Sequence, residues 1–119
     1  MTRTDSLTKS CLDLLEAKGF YCWRSNNIPV SVIENGKRTF RKFNGKKGVS
    51  DILAVACGRK SDNGLHGAGV IWCVEIKNKD KQSEDQKEFQ RQIEKRGGVY
   101  VLVRSTTDEL LKRLKEEGY

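Results

Sequence analysis

Apolar residues open the chain in a helical rhythm. Leu7, Cys11, Leu14 and Leu15 recur at i, i+4, i+7 and i+8, the stripe that one face of an α-helix turns toward a core. This spacing predicts a helix over Thr4–Lys18, with Gly19 as its C-terminal stop. Phe20-Tyr-Cys-Trp-Arg24 then predicts a short aromatic strand, with Trp23 assigned to the core and Ser25-Asn26-Asn27 as its polar exit. Val30–Glu34 and Lys37–Phe43 flank Asn35-Gly36, a dipeptide that readily takes the positive φ values of a tight hairpin turn.

Beyond the basic loop Asn44–Gly48 the rhythm changes. Asp51–Cys57 and Val70–Lys77 are near-continuous apolar runs that predict buried strands, separated by a polar, glycine-rich stretch, Gly58–Gly69, read as an exposed loop. Ser83-Glu-Asp-Gln86 has the form of a helix-capping box, and Gln86, Phe89, Gln90 and Ile93 share one face of the helix that Gly97-Gly98 ends. Val99–Val103 predicts a further buried strand. Thr106-Thr-Asp-Glu109 reads as a second capping box, opening a helix with Leu110, Leu111 and Leu114 inward. A strand with one wet face would alternate, so these continuous runs imply a sheet covered by helices on both faces. The expected class is α/β, with a mixed central sheet, and the 119 residues suit a single domain spanning positions 1–119.

Composition adds a partner class. The 23 Lys and Arg against 16 Asp and Glu give a net charge of +7, which fits a polyanion such as nucleic acid, although an ordinary basic protein would have the same balance. Cys11, Cys22, Cys57 and Cys73 lack the short spacing of a structural zinc site. With no apolar signal segment at the N-terminus and no run long enough to span a membrane, a reducing cytoplasmic compartment is expected.

The informative residues are charges on apolar strands, because an unpaired ion there loses hydration worth several kcal/mol and must recover it from a partner or a metal. Glu75 and Lys77 are two apart and project from one face of their strand. Asp51 opens the preceding apolar strand, and if the two strands are neighbours it meets Glu75. Two carboxylates and a lysine suit phosphodiester hydrolysis: hard oxygens hold Mg²⁺ or Mn²⁺, and an ammonium orients water or offsets charge developing at phosphorus. The same E-x-K spacing serves equally as a salt bridge at a strand end.

Context favours the first reading. In order, Gly48-Val-Ser-Asp-Ile-Leu53, Val74-Glu-Ile-Lys77, Ser83–Gln86 with Phe89, and Gly97–Ser105 resemble the VRR-NUC (virus-type replication-repair nuclease) domain, a branch of the PD-(D/E)XK nucleases. The resemblance covers nearly the whole chain. It implies a PD-(D/E)XK restriction-endonuclease-like αβββαβ core, with Asp51 and Glu75 as ligands of Mg²⁺ or Mn²⁺, the Ile76 carbonyl as a third ligand and Lys77 as base or charge stabiliser. Gln86 matches a glutamine that the family places near the site, although a capping-box glutamine needs no catalytic role. Ser50 stands where the family motif often has Pro, a departure that affects the turn more than the chemistry. For the family's acid on the first helix, Asp5 is the nearer match, and Glu16 reads as a solvated helix residue.

Six of the eleven residues from Lys37 to Lys47 are basic: Lys37, Arg38, Arg41, Lys42, Lys46 and Lys47. Arg38, Arg41, Lys42, Lys46 and Lys47 are candidate phosphate contacts, with a solvated, charge-protected hairpin edge as the alternative. Trp23 and Arg24 resemble a family segment near the substrate. His66 has no local partner and is assigned no role. By resemblance to stand-alone members of the family, the expected activity is a homodimeric endonuclease on branched DNA such as Holliday junctions. A nickase or flap nuclease is the second enzyme reading, and a DNA-binding module without catalysis the third.

Overall fold

A computed structural model describes residues 3–25, 29–42, 46–61, 64–77 and 81–119. Helix α1 (Arg3–Ala17) ends where the glycine signal placed its stop. Gly19 takes a φ of +90°, its N–H bonds the Glu16 carbonyl, and the Phe20 N–H reaches back to that of Leu15, which satisfies the last carbonyls of the helix. Phe20 is thereby turned into the core at the start of β1 (Tyr21–Arg24).

β2 (Pro29–Glu34) and β3 (Lys37–Lys42) form the expected hairpin, with Asn35 and Gly36 both at positive φ. Among the described residues these two strands pack chiefly on each other. Asn26 and Asn27 lie outside the described residues.

The central sheet runs in the order β1, β4 (Ile52–Val55), β7 (Ile71–Ile76), β8 (Val99–Val103). Its first two pairings are antiparallel and β7–β8 is parallel, so the sheet is mixed, with α2 (Glu84–Lys95) as the crossover between the parallel strands. Between β4 and β7, Gly58–Gly69 is not an irregular loop. It contains a small hairpin, β5 (Arg59–Ser61) against β6 (Gly64–His66). Lys60 and Ser61 carry no apolar alternation, so pairing alone makes them a strand.

One face of the sheet, through Ile52, Ala54, Trp72, Val74, Val101 and Val103, buries Cys11 and Leu15 of α1 and Leu110 and Leu114 of α3 (Asp108–Glu116). Phe20 and Tyr119 meet Trp72 edge-on at 5.3 and 6.0 Å between ring centroids, closing that core. The Thr106 capping box forms only in part. Glu109 accepts the N–H groups of Arg104, Ser105 and Thr106, but the Thr106 hydroxyl accepts from Asp108 rather than Glu109, because the helix starts one residue later than the motif implies.

The opposite face is covered unevenly. α2 lies over β8, where Phe89 meets Tyr100 edge-on at 6.4 Å between ring centroids, and its Ser83–Gln86 capping box is complete. Over β1 and β4 this face has no helix on it among the described residues. Trp23 pairs with Leu53 there and is 41% exposed, so it is not a core residue. Cys22 takes the inward place instead, its thiol donating to the Leu12 carbonyl of α1.

Gly48 sets how closely the segment entering β4 approaches α2. A Cβ at this position would sit 2.2 Å from the Asp85 carbonyl oxygen, and its φ is +77°. Gly69 has a similar φ, +82°, but open space around it. Gly69→Ala is expected to cost about 1–2 kcal/mol, the left-handed penalty alone. Gly48→Ala adds a backbone clash worth about 1–3 kcal/mol. Urea unfolding of the two variants measures the difference, and equal losses would show that close approach at Gly48 does not constrain the fold.

Candidate active site

The β4–β7 register decides the site. Ile52 pairs with Val74, so Asp51, one residue ahead of β4, faces Glu75 across the strand end. The backbone N–H of Ile76 donates to the Asp51 Oδ2 at 2.8 Å, fixing that carboxylate against β7. Behind it, the Ser25 N–H donates to the Asp51 carbonyl at 2.8 Å, and the Ser25 hydroxyl donates to that of Ser50 at 2.5 Å. Ser50 is fully buried and its hydroxyl donates to the Ile52 carbonyl at 2.9 Å. Ser50 thus braces the turn that presents Asp51.

Glu75 is 4% exposed, and among the described residues its buried Oε2 has no hydrogen-bond partner. Burial pushes its carboxyl up to about 9; a hydrogen bond to Asp51 and the charge of Asp51 add to the rise, and the Lys77 ammonium opposes it. In the absence of a cation, Glu75 therefore holds its proton at neutral pH. A hard divalent ion fits this pair, since it would occupy the orphaned oxygen and offset the repulsion that raises the carboxyl. Among the described residues no cluster of three His, Cys, Asp or Glu side chains forms.

Lys77 follows Glu75 on the same side of β7 and is half-buried, its backbone N–H bonded to the Val103 carbonyl at 3.0 Å. Gln86 performs the cap: its Oε1 accepts the Ser83 N–H at 2.9 Å, leaving the Nε2 of a half-buried side chain as its remaining donor. Asp5 is engaged by Arg24 at 3.0 Å, and Arg24 adjoins the Ser25 that holds Asp51. Lys46 and Lys47 are exposed beside α2, where with Asp85, Phe89, Ile93 and Arg96 they line a groove of about 560 Å³. Arg38 is exposed one pair from the β2–β3 turn, and Arg41 and Lys42 lie on β3, where the backbone alone is described.

Tyr100 was not among the sequence-derived site residues. It pairs with Cys73 in the β7–β8 register, on the face of Glu75. Its hydroxyl accepts from Gln82 Nε2 at 3.2 Å, while the same nitrogen donates to Gln90 Oε1 at 3.0 Å. Burial, then the Glu75 charge, pushes the phenol above its usual range. A hydroxyl at one place in an otherwise apolar strand was the signal; only the register shows which way it points.

Compared with solved structures, the chain is similar over its full length to a protein titled "VRR_NUC domain", itself matched over its full length, with a TM-score of 0.59 and 22% sequence identity. The chain has the VRR_NUC fold. No family model and no curated protein matches the sequence. The mixed sheet between helices that the apolar runs imply is thus also the architecture of a solved domain. Among the described residues no helix is long and apolar enough to cross a membrane.

The Glu75 carboxyl makes stability depend on pH. Its value is about 9 when folded against 4.5 as the ordinary value, so the folded state binds the extra proton between those limits. The associated stability is fully present below about 4.5 and is lost as pH rises through about 9. Glu75→Gln, which cannot ionise, should melt higher than the parent protein at pH 9 in chelator, by on the order of 5 °C. Mn²⁺ should raise the melting temperature of the parent and leave the variant unmoved. Parallel melting curves of the two proteins across pH would show that Glu75 is not a buried, cation-seeking acid.

Proposed function

We propose that this chain is a VRR-NUC nuclease: a divalent-metal-dependent endonuclease acting on DNA phosphodiesters, with branched DNA as its substrate. The observation that carries the reading is the juxtaposition of Asp51 with a buried Glu75 whose Oε2 has no hydrogen-bond partner among the described residues, with Lys77 two residues along the same strand face. Fold likeness alone would leave function open.

Asp51, Glu75 and the Ile76 carbonyl would hold Mg²⁺ or Mn²⁺, which supplies Lewis acidity toward the scissile phosphate when bound. The chain's own residues do the rest. The Ile76 N–H holds Asp51 in position, so its second oxygen is directed without side-chain reorganisation. Lys77 orients the attacking water and offsets negative charge on the phosphoryl oxygens as the bond to the leaving oxygen breaks. Gln86, at the head of α2, would bind substrate through its Nε2. Lys46 and Lys47, with Arg38, Arg41 and Lys42 on the hairpin, contact backbone phosphates, consistent with a net charge of +7. Asp5 is a reserve ligand that Arg24 would have to release. A homodimer would set two such sites about a two-fold axis, matching a Holliday junction.

Purified protein with Mg²⁺ or Mn²⁺ should cleave labelled four-way junctions or flaps in preference to linear duplex. Asp51→Ala should bring cleavage to background, and Lys77→Ala should slow it on the order of 10²–10³-fold while binding persists. Binding to all three DNAs without metal-dependent cleavage of any would sink the nuclease reading. Sedimentation at micromolar concentration tests the dimer, and a strict monomer counts against paired incision.

A further inference from the structure

The open half of the sheet face carries two aromatic rings that the core does not use. Tyr21 is 76% exposed and Trp23 41% exposed, although both belong to a strand whose alternate residues face α1. They are two apart on β1, pair with Val55 and Leu53 on β4, and lie 5.7 Å apart between ring centroids with their planes tilted by 53°. Trp23 is on the same sheet face as Asp51 and Glu75, since each sits across from a residue of that face. It lies one strand over and two residues along from Asp51, a backbone separation of about 8 Å at ordinary sheet spacings. Arg24 and Ser25 run directly from this ring to the hydrogen bond that holds the Asp51 carbonyl.

We propose that Tyr21 and Trp23 form a stacking platform for a nucleobase beside the scissile phosphate, so that the bound DNA, junction or flap, carries an unpaired base next to the cut. The inference rests on the nuclease reading for its placement at the cut and extends it to the class of DNA. A base stacks on an aromatic face regardless of its identity, whereas a paired base presents no free face to the protein. The chain's net charge of +7 and the exposed Lys46 and Lys47 supply the complement for the accompanying phosphates.

The size of the patch favours a base over a second copy of the chain. Scaling the area of an aromatic side chain by these exposures gives roughly 250 Å² for the two rings. A stable subunit interface needs about 800 Å² on each partner.

Trp72 is 1% exposed, so a change in tryptophan emission on adding DNA reports Trp23. In chelator, so that nothing is cut, oligothymidylate should quench this emission, while an abasic strand of equal length should bind more weakly and leave emission unchanged. Trp23→Leu should weaken binding of the thymidylate strand about tenfold, the effect of one stacked base, with little change for the abasic strand. Trp23→Phe, which retains a ring, should recover most of that loss. Equal binding of base-bearing and abasic strands overturns the platform, as does a Trp23→Leu variant that weakens both alike or whose principal change is in its sedimentation.

Cleavage assays separate the two readings. Metal-dependent incision equally efficient with abasic residues beside the cut removes the platform and leaves the nuclease standing. Base-dependent binding without incision of any DNA removes the nuclease and, with it, the assignment of this platform to a cut site.

Discussion

Two carboxyl groups held against one another at the end of a buried strand are the constraint around which the rest of the structure is arranged. Glu75 stands where solvent cannot reach it, Asp51 faces it, and the Ile76 N–H holds Asp51 there. Such a pair is unfavourable unless a proton or cation intervenes. Its persistence therefore depends on neighbours that fix the backbone on both sides. On the β4 side these are Ser50 and Ser25; on the β7 side they are the two flanking strands, which hydrogen-bond β7 along its length.

The sheet separates stability from chemistry by face. Toward α1 and α3 it presents Ile52, Ala54, Trp72, Val74, Val101 and Val103 to a closed apolar core, and Asp51 and Glu75 fall on the other side of the pleat. There α2 covers β8 but leaves β1 and β4 open, so the carboxylates sit between a capped helix start and an aromatic surface. Gly48 lets the entering segment touch the first turn of α2, joining the capping box to the turn that presents Asp51. Loss of order at the helix start would in this arrangement be felt at the acid, since Gly48, against the first turn of α2, lies three residues before Asp51.

A polar network extends the site toward α2. Gln82 bridges Tyr100 and Gln90, tying the segment before the helix to the strand beneath it. The phenol stays protonated under the influence of burial and the Glu75 charge, so it is a neutral group beside an acid that burial also raises. For the proposed function, which requires a cation and a polyanion at one point, such a neutral lining limits the number of charges that have to be compensated.

Periodicity alone was enough for what is local. The i, i+4, i+7 stripe and Gly19 set α1 and its end, Asn35-Gly36 set the hairpin turn, Ser83–Gln86 set the start of α2, and the two-residue spacing put Glu75 and Lys77 on one face. Each depends on residues within one turn or one strand, where backbone geometry is enough. The ordered resemblance to the VRR-NUC domain also anticipated the mixed α/β fold. Tertiary structure decided the rest, because strand order and register are set between distant segments. It placed Asp51 opposite Glu75, turned Trp23 outward and Cys22 inward, paired β5 with β6 in a stretch with no apolar pattern, and directed the Tyr100 hydroxyl to Gln82. A strand's own residues say which side chains share a face, but only its neighbours determine whether that face is buried, open or catalytic.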